Sequence, residues 1–441
     1  MEPRCCQQWR PVVLLLVFVS VACCVSDNYQ HLEGHQVLVV EVGSSGAVKH
    51  LLQEGLLDVL DHSGPSRTVR VSPQTVQEVK TALREAGISY SVLIHDLAAY
   101  LREKDTTRAP RRNRAEVCVS SSCPAPLIDS YMTFQQIEWY LTHLASHPRV
   151  EVTSIGKSVE GRDLWLVHIK PPECKGDGSL SAFLRRLKAA RESKRRRAVW
   201  LEAGIHGREW IAPAVALQLI HNIVQDCSAG RALDIYVVPV ANPDGYVYSW
   251  TNDRMWRKNR RQIPGSDCDG VDLNRNWDFQ FGVGASHNPC SEVYQGAHAF
   301  SEPETQALSN AMLQVNRTGK LMLVLVLHSY GQLLMYPFGH TTDSAPNTPA
   351  MQRLGDIFAK SAKESHGTVY DVANSAAGLY YASGATDDWA KGELKTKFAY
   401  TLELRDKKTF FLSPDQILPT SEEVWNGMKM VFVALTPERG I

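Results

Sequence analysis

The sequence predicts an α/β protein: a mixed, mostly parallel β-sheet with helices on both faces, preceded by a small α+β unit of ferredoxin-like order. Three observations predict it. From Tyr131 onward, short apolar strands alternate with helical patterns, which implies a sheet covered on both faces. Leu321 to Leu327 is an unbroken apolar run of strand length, as a strand buried on both faces requires. Residues 36–94 read β-α-β-β-α-β, the order of a split βαβ unit.

Taken in order, the chain opens with Arg4 and Arg10, which precede an apolar run, Val12 to Val19, followed by small residues through Ser26. The run is too short to span a bilayer and has the layout of a secretory signal, residues 1–26. A small domain, residues 27–105, follows. Its strands are Gln36–Val42, Leu57–Leu60, Thr68–Val71 and Ser89–Ile94. Its helices are Gly46–Gly55 and Pro73–Ala86, the second begun by Ser72 as N-cap and stopped by Gly87. A polar helix then leads to a basic, Pro-containing stretch, Arg108 to Arg114, within a linker at 106–116. Exposed linkers between cores are where proteases cut, so this one reads as an activation site. The large domain, residues 117–441, carries strands at Val150–Ile155, Leu164–Ile169, Ala198–Leu201, Ile235–Val240, Met322–Leu327 and Phe398–Leu404. Helices fall after Tyr131, at Ile211–Val224, Glu302–Gln314 and Ala350–Glu364.

Charge excludes some functions. The 47 basic and 47 acidic residues cancel, so no global charge favours nucleic acid or a membrane surface. Of ten cysteines, four lie in the signal. The remaining six, Cys118, Cys123, Cys174, Cys227, Cys268 and Cys290, suit disulfides in a secreted chain and allow fifteen connectivities. Asn316-Arg317-Thr318 is a glycosylation acceptor in that compartment. Ser181 to Arg197 holds eight basic residues and one acid, and reads as a solvated helix.

The chemistry centres on His206-Gly207-Arg208-Glu209-Trp210. A His and a Glu three apart can converge on one metal ion. A strand ends just before them and a helix begins just after, with Pro213 tolerated in its first turn. The carboxyl edge of an open α/β sheet is where ligands bind. Alone, His-x-x-Glu is a weak signal. His328 strengthens it, because it closes the most apolar strand of the chain at the same edge. Two imidazoles and a carboxylate form one of the catalytic zinc donor sets, which leave a position for water.

Further motifs accompany these: Asn242 to Tyr246 (Asn-Pro-Asp-Gly-Tyr), Arg254 to Lys258 (Arg-Met-Trp-Arg-Lys), Gly270 to Trp277 (Gly-Val-Asp-Leu-Asn-Arg-Asn-Trp), His328-Ser329-Tyr330, Tyr380 to Gly384 (Tyr-Tyr-Ala-Ser-Gly), and Glu403 to Asp406 (Glu-Leu-Arg-Asp). With them the chain from residue 120 to 441 resembles the zinc metallocarboxypeptidases of the pancreatic carboxypeptidase A/B type, and the small domain resembles their inhibitory propeptide. The resemblance implies the carboxypeptidase fold, one Zn²⁺ per chain on His206, Glu209 and His328, and catalytic roles for Glu403 as general base and Arg257 as oxyanion partner. It implies that Arg275, with its planar fork, and Asn274 hold the substrate's terminal carboxylate. Tyr380 closes over it, Arg208 and Arg254 contact the substrate further out, and Tyr330 is a further substrate-binding residue. It also implies a Cys268–Cys290 disulfide, leaving Cys174 with Cys227 and Cys118 with Cys123 by elimination.

In that family the position seven after the tyrosine lines the pocket for the terminal side chain. Here it is Asp387, and a buried carboxylate needs a compensating cation. The resemblance therefore implies carboxypeptidase B-like preference for C-terminal Lys or Arg, with Gly339 and Ser375 leaving room for a long side chain. The competing readings are an apolar or other specificity, with Asp387 merely capping a short helix, and a zinc amidohydrolase acting on non-peptide substrates. The expectation is a secreted, monomeric zymogen that meets peptide or protein C-termini, cut in its linker by a trypsin-like or furin-like protease, with no nucleic-acid or membrane partner.

Overall fold

The computed structural model describes residues 29–41, 46–53, 56–61, 66–104, 126, 129–172, 196–226, 228, 230–378, 380–407 and 409–436. The signal, the basic linker, most of the 181–197 segment and Cys118, Cys123, Cys174 and Cys227 lie outside the described residues.

The small domain contains β1 (Gln36–Glu41), α1 (Gly46–Gln53), β2 (Asp58–Asp61), β3 (Ser66–Val71), α2 (Val76–Glu85), β4 (Tyr90–Ile94) and α3 (Leu97–Lys104). Its antiparallel sheet runs β2-β3-β1-β4, the ferredoxin-like order. Leu38 and Val40 of β1 pack on Val48, Val79 and Leu83 of the two helices, because alternate strand residues share a face. The expected N-cap of α2 moves: Ser72 Oγ accepts from Thr75 N at 3.2 Å, so Ser72 closes a turn and Thr75 occupies the N-cap.

The large domain contains α4 (Phe134–Leu144), β5 (Val150–Lys157), β6 (Asp163–Ile169), β7 (Arg197–Ala203), α5 (Ile211–Gln225), β8 (Leu233–Val238), α6 (Pro243–Thr251), α7 (Pro303–Thr318), β9 (Lys320–His328), β10 (Leu333–Tyr336), α8 (Thr348–His366), β11 (Asp371–Asn374), α9 (Ser375–Gly378), α10 (Thr386–Gly392), β12 (Phe398–Glu403) and α11 (Ile417–Leu435). Among the described residues the sheet has eight strands in the order β11-β10-β12-β9-β7-β8-β6-β5. The four central strands β12, β9, β7 and β8 are parallel, and β6 and β5 continue antiparallel at one edge. The strands β10 and β11 and the last helix were not read from sequence. The two strands are only four residues each, too short to show a period.

Two cores flank the sheet. Val199, Leu201 and Ala203 of β7 face α5, α8 and α11, while Ala198 and Trp200 face α7 and α10. Residues Leu321 to His328 of β9 are all buried, which accounts for the unbroken apolar run. The helix α4 begins with a full capping box, Thr133 and Gln136 bonding each other's backbone N–H.

Candidate metal centre and active site

The strand β7 delivers the chain to a tight bend. Gly204 stands at φ +67°, and a Cβ there would lie 3.2 Å from Val240 Cα, so only glycine permits the approach. The Asn242 side chain stitches the bend to its neighbours. Its Nδ2 donates to Ile205 O and Lys258 O, both at 3.1 Å, and its Oδ1 accepts from Gly245 N at 2.8 Å. The role of the Asn-Pro-Asp-Gly motif is thus to fix the loop that carries His206.

His206, Glu209 and His328 are buried, and their ligand atoms all lie within 4.8 Å of one another. His206 Nδ1 stands 2.7 Å from Glu209 Oε1, and His328 Nδ1 stands 3.0 Å from Oε2. The far nitrogen of His206, Nε2, meets Asp272 Oδ1 at 3.2 Å. A proton on Nε2, donated to Asp272, leaves the Nδ1 lone pair turned toward a carboxylate oxygen, and that juxtaposition requires positive charge between them. The donor set, two imidazole nitrogens and a carboxylate, fits zinc. Burial pushes the Glu209 carboxyl up, but the two imidazoles outweigh it and hold it below the usual carboxylate range.

Asp272 carries more than the sequence signalled. Burial acts against its ionised form, yet Arg257 and His206 hold its carboxyl well below the ordinary range. Its Oδ2 accepts from Arg257 Nη2 at 2.9 Å and Nε at 3.2 Å, and its Oδ1 accepts from Asn274 N at 2.9 Å. One carboxylate thus orients a histidine ligand, an arginine and the Asn274 loop. It stood inside the Gly-Val-Asp-Leu-Asn-Arg-Asn-Trp motif without a role, and its place three residues before Arg275 was the available signal.

These groups open into a cavity lined also by Asn274, Arg275, Tyr330, Gly339, Ser375, Tyr380 and Asp387. Glu403 reaches the same cavity from the last position of β12, where it pairs in register with His328 of β9. The alternative of a Glu403–Arg405 ion pair is not what forms: Arg405 pairs with Glu423 and donates to Gln416. Arg275 Nη2 donates to the Tyr380 hydroxyl at 2.6 Å, while Tyr381 is 55% exposed, which selects Tyr380 of the two tyrosines. Asp387 sits in the first turn of α10, whose N-cap is Ala385, so Asp387 lines the cavity and is not a cap. Thr401, Met335, Ala382 and Asp388 line the wall as well and were missed. Their signal is tertiary: four separate segments meet only in the fold.

Two predicted site residues stand apart. Arg254 lies 3.7 Å above the Trp210 ring and donates to Arg208 O at 2.6 Å and Phe410 O at 3.3 Å. It braces the loop from behind and does not line the cavity, because its donors are already committed to backbone carbonyls. Arg208 also lies off the cavity wall. It is buried beside Glu292 at 3.4 Å, under the Phe410 ring at 4.6 Å, and 3.6 Å from Asp58 of the small domain. The Cys268–Cys290 disulfide is present.

The small domain sits on the cavity mouth. Leu60 of β2 lines the cavity. Tyr29, Leu32, Leu97 and Leu101 share an apolar cluster with Met255, Tyr330 and Phe410 of the large domain. Beside it His31 Nε2 stands within hydrogen-bond distance of Asp253 Oδ1 across the two domains, at 3.0 Å, and Arg70 pairs with Asp58 inside the small domain at 2.8 Å.

Comparison with known proteins agrees with this geometry. Residues 137–427 match the family model described as zinc carboxypeptidase, and residues 46–104 match that of the carboxypeptidase activation peptide. Carboxypeptidase A2 of Mus musculus is 35% identical over 421 residues, covering 90% of this chain and 93% of that one. Carboxypeptidase A1 of Homo sapiens is 34% identical over 412 residues, covering 89% and 91%. The crystal structure of carboxypeptidase A from Helicoverpa armigera superimposes with a TM-score of 0.78 at 28% identity, covering 92% of this chain and 99% of that one. With a zinc-fitting His/Glu/His cluster at the carboxyl edge of a mixed sheet and an activation domain seated over it, this chain belongs to the zinc carboxypeptidase family as a proenzyme.

Proposed function

We propose that this protein is a secreted zymogen which, once cut in its linker, removes C-terminal Lys or Arg from peptides and proteins. Residues 1–26 serve as the export signal, 27–105 as the activation domain, 106–116 as the cleaved linker and 117–441 as the enzyme. The observation that carries the basic preference is Asp387. It is 3% exposed, faces the cavity, and has Asp388 and the Thr401 hydroxyl for neighbours. Burial, and then the charge of Asp388, push its carboxyl up to about 7. A carboxylate so placed gains most from a cation at the tip of the substrate side chain. Gly339 and Ser375 keep the wall small enough for a long basic chain.

The roles follow from chemistry. The Arg275 fork and the Asn274 amide bind the terminal carboxylate, and the Tyr380 hydroxyl exchanges Arg275 for substrate as it closes. His206, Glu209 and His328 would hold a zinc ion, which would supply a Lewis acid to acidify water and polarise a carbonyl. Glu403 takes the water's proton on its carboxylate and returns it to the leaving amine. Arg257, anchored on Asp272, presents its remaining N–H groups to the carbonyl oxygen as charge develops.

A second reading has an observation of its own: the relatives named above are carboxypeptidases A, which favours an A-type activity. The two separate in one experiment. After trypsin treatment, hippuryl-Arg is hydrolysed faster than hippuryl-Phe if Asp387 governs the pocket; faster release of Phe replaces the basic reading with the A-type one. Full activity before trypsin treatment would remove the requirement for cleavage.

A further inference from the structure

Glu202 is a buried carboxyl that the reaction does not use. It lies on β7, 0% exposed, on the Trp200 side of the strand. Its Oε2 accepts from Trp200 Nε1 at 3.2 Å. Its Oε1 lies 3.1 Å from the hydroxyl of Thr386, also 0% exposed. Thr386 is the first residue of α10 and immediately precedes Asp387. Its backbone N–H donates to Asn274 Oδ1 at 3.4 Å. Ala385 at the N-cap supplies no side-chain bond to the helix. The first turn of α10 is therefore held through Thr386, by Glu202 from the sheet and by Asn274 from the substrate's side. A polar group buried this deeply is costly unless it is bonded, and the partners Glu202 has chosen tie the central sheet to the wall of the terminal-residue pocket.

We propose that Glu202 is a positioning residue for substrate recognition: through the Thr386 hydroxyl it sets the first turn of α10, and with it the depth at which Asp387 meets the substrate's terminal side chain. The inference rests on Asp387 lining that pocket, as read above. It does not require that the preferred side chain be basic.

The test uses the full-length zymogen after trypsin treatment, with Glu202→Ala, Thr386→Val, Thr386→Ser and the double variant Glu202→Ala/Thr386→Val. The substrates are hippuryl-Arg, hippuryl-Phe and hippuryl-Gly, the last having no side chain to read the pocket. Misplacement of a recognition group by about an ångström costs up to roughly a hundredfold, so KM for the better of the Arg and Phe substrates is expected to rise about tenfold in Glu202→Ala and Thr386→Val. In both, kcat and bound zinc stay near the wild-type values and hippuryl-Gly is unaffected. Thr386→Ser keeps the hydroxyl and restores the wild-type KM. The double variant is no worse than either single one, as expected of two residues acting through one bond. Equal losses on all three substrates, additive losses in the double variant, or an unchanged KM overturn the inference. Should Glu202→Ala fail to fold, the Thr386 pair decides alone. The wild-type preference for Arg over Phe is read in the same assay and tests the basic pocket separately.

Discussion

Glu403 and His328 stand side by side, paired in register on the adjacent parallel strands β12 and β9. Parallel pairing brings the carboxyl ends of two strands to one edge. It sets the proposed proton carrier beside a metal ligand although 74 positions of chain separate them in the numbering, from 328 to 403. Replacing Glu403 by Gln keeps the shape and removes the basic group. A fall in kcat of roughly a thousandfold is expected, within the usual range for a general base, with KM and bound zinc nearly unchanged. Retention of more than a tenth of the activity would assign the proton to another group.

Arg275 and Tyr380 give a second prediction. Arg275 is 2% exposed; its Nη2 donates to the Tyr380 hydroxyl at 2.6 Å and its Nη1 to Asn274 O at 2.7 Å. Truncating one partner of a buried charged bond costs about 3 kcal/mol, so Arg275→Ala is expected to lower kcat/KM about a hundredfold. Arg275→Lys recovers little, because an ammonium cannot form two parallel bonds to a carboxylate. The measurement is steady-state kinetics on a peptide and on its C-terminal amide. The variant loses the distinction between the two.

Asp387 gives a third. In Asp387→Asn the negative charge goes and the volume stays. The ratio of kcat/KM for hippuryl-Arg over hippuryl-Phe is expected to fall by roughly thirtyfold or more, from the roughly 2–5 kcal/mol of a desolvated charge pair. An unchanged ratio would place the basis of specificity elsewhere in the wall.

The activation domain carries a pH dependence. His35 Nδ1 is buried without a hydrogen-bond partner among the described residues. Burial, and then the Arg70 charge, lower its pKa from 6.5 to about 4. The folded state thus disfavours the protonated ring. The stability that neutral His35 contributes is complete above pH 6.5 and is lost as the pH falls from 6.5 to about 4, where the unfolded chain binds a proton that the folded chain does not. Thermal melts of the zymogen are expected to show a drop in Tm across that window. His35→Leu is expected to flatten it, and an identical slope in the variant would exclude this histidine as its source.

The disulfide gives a fifth. Cys268–Cys290 closes a loop with a sequence separation of 22 and holds the segment that bears Glu292. Loop-closure entropy for that length is about 3 kcal/mol. The double variant Cys268→Ala/Cys290→Ala is expected to lose stability of that order in urea unfolding, with zinc still bound.

Much of this was legible in the chain because it is local. The β-rich alternating stretch of β1, the short buried strand β7, the apolar run of β9 and the His-x-x-Glu bend depend on neighbours a few residues away, and they fell where expected. The metal donors were legible because zinc accepts few ligand sets and the motifs stood in order. Arg254 was not, since a lone arginine in a motif looks the same whether it faces substrate or lies 3.7 Å above the Trp210 ring.

By itself, then, the sequence determined the alternation of strands and helices, the identity of the three donors and the presence of a covering domain. The tertiary structure alone decided that Asp272 grips both His206 and Arg257, that Glu202 reaches Thr386, and that Asp58 meets Arg208 across two domains. Periodicity and spacing report which face of an element a residue occupies. Which partner waits on the other side is set by how the elements pack, and no stretch of chain carries that information alone.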